Sequence, residues 1–402
     1  MDFTLDSRAE DLRRRVRAFV SEHGVPYESA RGAWDEWGNI GLAERDALRG
    51  GARAAGLWAP QVSEARGGLG LSMVQQAAFY EEANWSIFGP SSLHCAAPDD
   101  GNMRLLERVA TEAQKHEFLD PIVVGANSSF VMTEPAPGGG SDPGMIRTSA
   151  ERRGETWVVR GRKWFISGAA LAEQFILIAR TDPSPDEKRR HLTAFLFHRG
   201  QPGWRIVRRI ANMGPDEHGG VCELEFDGLE IPDRNRLMEV GDGLKVTQIR
   251  LGPARLTHCM RWLGLSKRCM AIAAGYIGER EGFGVRLADR ESVQLKMADV
   301  AQAIEIGRLL VMHAAWKLDR GDFARKEVSI AKMHVADTLQ LAADTAVQLQ
   351  GARGYSTDSI AEWIYRYARC ARLVDGASEV HKMVIAGRYG REGTDFWRWE
   401  TA

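Results

Sequence analysis

A chain of 402 residues, 44% of them hydrophobic, can bury a sizeable core and has room for two or three units of ~150 residues each. Its 53 Lys and Arg stand against 54 Asp and Glu, and a net charge of -1 gives no general pull towards nucleic acid or an anionic membrane, so an anionic ligand has to be met locally. Five cysteines (Cys95, Cys222, Cys259, Cys269 and Cys370), odd in number and never in a CxxC pair, support neither a disulfide framework nor a zinc site, and a reducing cytoplasm is expected. The first residues carry scattered charges (Asp2, Asp6, Arg8, Glu10, Asp11, Arg13) and lack the apolar run of a signal peptide. No stretch approaches the ~18 uninterrupted apolar residues of a membrane span.

In chain order, the pattern up to about residue 125 is helical, as in Ser7 to Glu22, where Leu12, Val16, Phe19 and Val20 recur among Arg and Glu. Between 126 and 238 it changes to short β-rich runs, Thr156–Arg160, Phe175–Ala179, Leu192–Phe197 and Cys222–Phe226, separated by Gly, Pro and Asp. From 239 onward helical patterns return over 244–280, 292–319 and 325–350, with a final pair around 358–390 and breakers at Gly321 and Gly351 to Gly354. The expected class is α+β: an N-terminal helical domain (1–125), a central β domain (126–238) and a C-terminal helical bundle (239–402).

Thr133-Glu-Pro-Ala-Pro-Gly-Gly-Gly-Ser-Asp142 places three glycines after the strand-like run Ser128–Met132. Such a loop either brings backbone amides against a phosphate, a carbonyl oxygen or a flavin edge, or is an ordinary tight turn. Three further segments follow in order: Gly161-Arg-Lys-Trp-Phe-Ile-Ser-Gly168, Glu279-Arg-Glu-Gly-Phe-Gly284 and Gln348-Leu-Gln-Gly-Ala-Arg-Gly354. Together the four resemble the acyl-CoA dehydrogenase family over nearly the whole chain. That resemblance implies FAD as cofactor, an acyl-CoA substrate, electron-transferring flavoprotein as acceptor, and a homodimer or homotetramer.

It also implies roles for single residues. Met132 and Thr133 would lie at the flavin's pyrimidine edge, and Phe165 and Ser167 would flank the ring, where the family more often has Trp and Thr. Strand packing is the alternative for Trp164 and Phe165. Arg280 and Phe283 match the arginine and aromatic that hold the diphosphate and adenine end from a neighbouring subunit, and Gln348 and Gly351 match the other half of that site. Alone, Arg280 between Glu279 and Glu281 reads as a solvated helix residue.

Arg372-Leu-Val-Asp-Gly-Ala-Ser-Glu-Val-His381 resembles the family's base loop, with Asp375 where better-known members have Glu. A carboxylate suits the task because the α-proton of a thioester is only weakly acidic. Other members carry Glu before an arginine early in the C-terminal bundle; here Ala254 precedes Arg255. Asp375 could alternatively cap the following helix. Arg255, Gly376 and, weakly, Ser141 match substrate-side positions, and Glu379 matches a residue that touches FAD. The glycine loop is longer than in the medium-chain type, Gly168 replaces Asn, Ala352 replaces Gly, and Gly282 replaces a residue with a side chain. His94 and His258 receive no role, and no metal site is expected. The alternative to α,β-dehydrogenation is a flavin oxidase on the same fold, nitroalkane oxidase-like or acyl-CoA oxidase-like.

Overall fold

A computed structural model of the chain describes residues 3–182, 191–216 and 218–398. They form two compact units, one drawn from residues 1–60, 71–95 and 252–402, the other from 61–70 and 96–251.

In the first unit, helix α1 (Ser7–Phe19) starts where the Asp6 carboxylate accepts from the Ala9 amide at 2.7 Å, and it buries Ala9, Leu12, Val16 and Phe19 as one stripe. Helix α2 is Leu42–Ala54. Helix α3 (Met73–Ala83) opens with a capping box between Ser72 and Gln75. The long elements follow: α4 (Gly243–Glu279, with Pro253 inside it), α5 (Glu291–Asp319), α6 (Arg325–Gln350), α7 (Ala361–Ala368) and α8 (Ser378–Glu392). Gly264 of α4 is where α3 crosses, since a Cβ there would stand 2.2 Å from the Glu81 carbonyl. Helix α6 is the central member, packed on α5, α7 and α8 through Val328, Ala331, Val335, Leu339, Ala342 and Ala346. Its small residues let neighbouring axes approach.

The second unit is built on an eight-stranded sheet: β1 (Asn127–Val131), β2 (Ser149–Arg153), β3 (Thr156–Ser167), β4 (Ala172–Arg180), β5 (Leu192–His198), β6 (Trp204–Arg209), β7 (Val221–Pro232) and β8 (Arg236–Leu237). The order is β6-β7-β3-β2-β4-β5-β8, with β1 paired parallel to β4. Strands β4 and β5 are buried almost throughout, which explains their unbroken apolar runs. Their Phe175 and Phe197 stack at 4.6 Å beside Phe195, Trp157 and Phe226 in the core. Strand β6 is not among the runs expected from the sequence, because three arginines interrupt the β-forming Trp, Ile and Val of Trp204-Arg-Ile-Val-Arg-Arg209. Pairing compensates, with Arg205 and Arg208 set against Glu225 and Glu223 of β7.

The helical and β textures are therefore where composition puts them. α4, α5 and α6 begin and end within a residue of the expected spans, and Gly321 and Gly351 stop α5 and α6 with φ of 86° and 59°.

Candidate active site

The ladder between β3 and β7 holds a bulge. Lys163 pairs with Leu224 and Ile166 with Cys222, so β3 carries one residue more than its partner at Trp164-Phe165. Phe165 takes up the excess at φ 50°, which turns its ring out of the sheet and leaves it 48% exposed. It is therefore not a packed strand aromatic. At the same point the Trp164 amide leaves the ladder and donates to the Thr133 carbonyl at 2.9 Å, while Ser129 Oγ donates to the Ser167 carbonyl at 2.8 Å. These contacts bring Met132, Thr133, Phe165 and Ser167 to one edge of the sheet.

Lys163, wholly buried, fastens that edge. Its Nζ donates to the Met132 carbonyl at 2.7 Å and lies 2.9 Å from Glu134 Oε1. Glu134 also accepts from the Arg147 and Thr148 amides at 2.7 and 2.9 Å. Burial works to raise the Glu134 carboxyl, but Lys163 and these donors outweigh it and hold it below the usual range. Burial brings Lys163 down to about 8 against the opposing pull of Glu134. Both groups are charged at neutral pH.

The glycine loop folds on itself. A Cβ at Gly138 would stand 2.3 Å from Glu134 Oε2 and one at Gly139 would stand 2.9 Å from the Ile146 amide, while Gly140 faces open space. The Glu134 amide donates to the Gly139 carbonyl and the Gly138 amide to Pro135. Two of the three glycines thus serve a tight turn around Glu134. Ser141 is exposed in the same loop.

In the helical unit, Asp375 stands before α8 at φ 51° and Gly376 follows at 98°. The cap residue of α8 is Ala377, with no side-chain cap, so Asp375 is not the helix cap that the sequence left open. Arg255 Nε donates to the Asp375 carbonyl at 2.7 Å, and Lys332 Nζ donates to the Gly376 carbonyl at 2.8 Å. Two cations on successive carbonyls fix the turn and orient the carboxylate. A Cβ at Gly376 would meet His381 Nε2 at 3.2 Å. Ala254, the alternative base position, is a buried core residue.

Seven non-glycine residues among those described have positive φ, and Phe165, Phe283 and Asp375 are three of them. Each such conformation costs about 1–3 kcal/mol and persists where surrounding structure enforces it, which is common at functional sites.

Phe283 sits fully exposed on a hairpin, β9 (Glu281–Gly282) with β10 (Val285–Arg286), just beyond α4. Arg290 donates to the Gly282 carbonyl at 2.7 Å and lies 5.7 Å from the Phe283 ring. Arg280 is exposed, and among the described residues its guanidinium has no carboxylate partner despite Glu279 and Glu281 beside it. Gln348 and Gly351 lie exposed where α6 ends, and Glu379 is exposed in the first turn of α8. In the sheet unit, the hydroxyl residues Thr133 and Ser167 beside the half-exposed Phe165 ring suit the polar edge of a flavin, and in the helical unit the exposed Arg280 guanidinium suits a diphosphate.

Sequence reasoning missed the charged surroundings of Asp375. His258, on the same face of α4 as Arg255, lies with Nε2 3.4 Å from Asp375 Oδ2. The one-turn spacing linked it to Arg255, but nothing local linked it to a loop far along the chain. His381 was quoted only as part of the loop motif. It is buried, with Nδ1 3.1 Å from Ser329 Oγ, and is pushed down to about 4 by burial first, then by Arg255 and Lys332. It is neutral in the folded state, whereas its unfolded counterpart protonates near 6.5. The unfolded chain therefore binds the extra proton between these values, and this group's contribution to stability is present above pH 6.5 and lost as pH falls towards 4. We expect His381→Gln to lose on the order of 1–3 kcal/mol less than the native protein over that window, read from paired unfolding midpoints at pH 7 and 4.5. Equal losses would contradict the neutral assignment. His94 is buried and stacked on Trp58 at 4.5 Å, a packing role.

All five cysteines are free, no helix among the described residues is long and apolar enough to cross a membrane, and no metal-holding cluster is found among them.

Comparison with known proteins bears directly on this arrangement. The acyl-CoA dehydrogenase N-terminal, middle and C-terminal domain models match residues 6–126, 129–229 and 241–390. A Mycobacterium tuberculosis protein named "Probable acyl-CoA dehydrogenase FadE2" is 34% identical, the match covering 98% of this chain and 99% of the relative. "Acyl-CoA dehydrogenase family member 11" of Mus musculus is also 34% identical over 96% of this chain, which spans only 50% of that longer protein. Among solved structures, butyryl-CoA dehydrogenase from Megasphaera elsdenii superposes with a TM-score of 0.82 at 27% identity, covering 96% of this chain and 99% of the other. With the fold and the donor set in agreement with these matches, the chain belongs to the acyl-CoA dehydrogenase family and is an FAD-dependent oxidoreductase acting on acyl-CoA.

Proposed function

We propose that the protein catalyses α,β-dehydrogenation of an acyl-CoA thioester to the 2-enoyl-CoA, with Asp375 as the base. The observation that carries this reading is the Asp375 turn, held at positive φ with Arg255 and Lys332 donating to its two successive main-chain carbonyls. Asp375 removes the α-proton and becomes the neutral acid as the Cα–Cβ double bond forms. FAD, when bound, supplies the acceptor for the hydride that leaves the β-carbon. Met132, Thr133, Phe165, Ser167 and Glu379 would hold the ring, with Arg280, Phe283, Gln348 and Gly351 at the dinucleotide end. Arg255, Gly376 and Ser141 would face the substrate. The position on α4 where other members of the family carry Glu is Ala254 here.

Further parts of the reading are a homodimer or homotetramer, electron-transferring flavoprotein as acceptor, a cytoplasmic setting consistent with five free cysteines, and a division at about residues 125 and 238. The Asp in place of Glu favours one second reading, an oxidase related to those that use Asp. Anaerobic bleaching of the flavin across a panel of acyl-CoAs tests the main reading. A dehydrogenase stays bleached on admission of air, whereas rapid reoxidation with peroxide release supports the oxidase.

Arg280→Ala is expected to lower both FAD retention and subunit association, because a guanidinium free of carboxylate partners is proposed to serve both. The flavin-to-protein absorbance ratio and the sedimentation mass would register the loss. Unchanged values for both would remove Arg280 from the cofactor site.

A further inference from the structure

We infer that His258, as a neutral Nε2–H tautomer locked by Arg261, is the positioning residue that donates a hydrogen bond to Asp375 and sets the pH at which that base becomes active. The inference rests on Asp375 being the base.

His258 Nδ1 lies 3.2 Å from Arg261 Nη2, and Arg261 Nη1 donates to the Cys95 carbonyl at 2.8 Å. A guanidinium has donors and no acceptor, so Nδ1 must be the accepting, unprotonated nitrogen. The ring proton is then on Nε2, the atom 3.4 Å from Asp375 Oδ2. At 3.4 Å the two atoms are at ion-pair distance and do not form a hydrogen bond in this structure, for which ~2.9 Å is usual. Catalytic contacts in unliganded sites commonly tighten once substrate packs against them. The ring cannot turn freely, because it is buried and stacked on Trp262 at 5.2 Å. Protonating Nδ1 would break the bond from Arg261 and place a second cation against it.

The other titratable and charged groups around the base come from three helices and one short segment. From α4 come Arg255, Arg261 and Cys259, whose thiol burial pushes up to about 12. From α6 comes Lys332, lowered by burial, with Asp375 and Cys259 opposing. From α8 comes His381, held down to about 4. Cys370 adds a weak opposing influence on Lys332. Neither Cys259 nor His381 changes charge between pH 5 and 9, and Lys332 is common to all variants, so a movement of the rate profile that His258→Phe causes and His258→Gln reverses reports on Asp375 and its donor.

An N–H donated to a carboxylate favours the charged form. Removing it makes the base harder to ionise, and the rate, which rises with pH as the base ionises, needs a higher pH. The test is anaerobic stopped-flow reduction of the bound flavin by the best acyl-CoA, followed from pH 5 to 9 in the FAD-loaded protein. His258→Phe keeps an aromatic ring for Trp262 and loses both nitrogens; its half-maximal pH is expected to move up by about one unit. His258→Gln retains a terminal N–H and an acceptor, and should return the profile towards the native one. A Phe profile that overlays the native one, or a Gln profile that follows Phe, overturns the inference. A second measurement does not depend on the variants folding: ¹⁵N-histidine spectra of the native protein, assigned by difference with His258→Gln, should show His258 unprotonated at Nδ1 at pH 7. An Nδ1–H tautomer or an imidazolium there also overturns it. Asp375→Asn separates the two levels: native-like reduction in that variant removes the base assignment itself, while the tautomer of His258 is read independently of it.

Discussion

Asp375→Asn should slow flavin reduction by about 10²–10⁴-fold while FAD and acyl-CoA binding persist, the range typical of losing a general base. The structure makes this substitution unusually clean. Asp375 sits at φ 51°, a region that Asn tolerates as well as Asp, so the turn is kept. No helix cap is lost, because the cap position of α8 is Ala377. The bonds from Arg255 and Lys332 go to main-chain carbonyls, which the substitution leaves in place. What disappears is the negative charge and the capacity to accept the α-proton. Asp375→Glu, which restores the acid of better-known relatives, is expected to do worse than a one-methylene extension suggests. A longer side chain is less at ease with positive φ, and its carboxylate would overshoot the His258 contact, so partial activity and an altered chain-length preference should result. Stopped-flow bleaching under anaerobic conditions decides between these outcomes. Reduction at the native rate in the Asn variant would assign the base elsewhere.

Much of this site was legible in the sequence, and the missing part has a physical explanation. Helices α4, α5 and α6 declare themselves because an apolar stripe with a 3.6-residue period is written locally and glycine stops it locally. The four spaced motifs identified the family, and the roles proposed for Thr133, Arg280 and Asp375 follow from that resemblance. The bulge that turns Phe165 outward left no such trace. It depends on register against β7, where one residue too many between Lys163 and Ile166 has to be absorbed, and nothing in Lys-Trp-Phe-Ile states its pairing partner. The triple glycine was open between ligand approach and a turn. The structure accounts for Gly138 and Gly139 through Glu134 and Ile146, with only Gly140 open. His258 illustrates the same limit from the other side: its partner Asp375 arrives from the far end of the bundle, so no window of sequence holds both. The functional contacts most often missed are those whose two halves are joined only by tertiary folding.

Lys163→Met is expected to be the most destabilising single change at the sheet edge proposed to hold the flavin, by about 3–5 kcal/mol, because it removes one partner of a buried ion pair. Lys163 and Glu134 are 0% and 4% exposed, 2.9 Å apart. Removing the cation leaves Glu134 with its two amide donors but no counter-charge, and leaves the Met132 carbonyl without the 2.7 Å bond from Nζ. The damage should also be local, since Glu134 pins Arg147 and Thr148 while Met132 and Thr133 lie on the same short segment. FAD occupancy is therefore expected to fall together with the unfolding midpoint. Glu134→Gln in the Lys163→Met background supplies the discriminating control. If the cost is an uncompensated buried charge, neutralising the carboxylate should recover part of the lost stability, since the amide oxygen can still accept from the backbone. If the cost is only the lost volume and packing of the lysine stem, the second substitution should recover nothing. Urea midpoints of the two variants and the native protein, measured with FAD in excess, separate these outcomes. A loss below about 1 kcal/mol for Lys163→Met would show that the pair does not hold the edge of the sheet to which Met132, Thr133, Phe165 and Ser167 are brought.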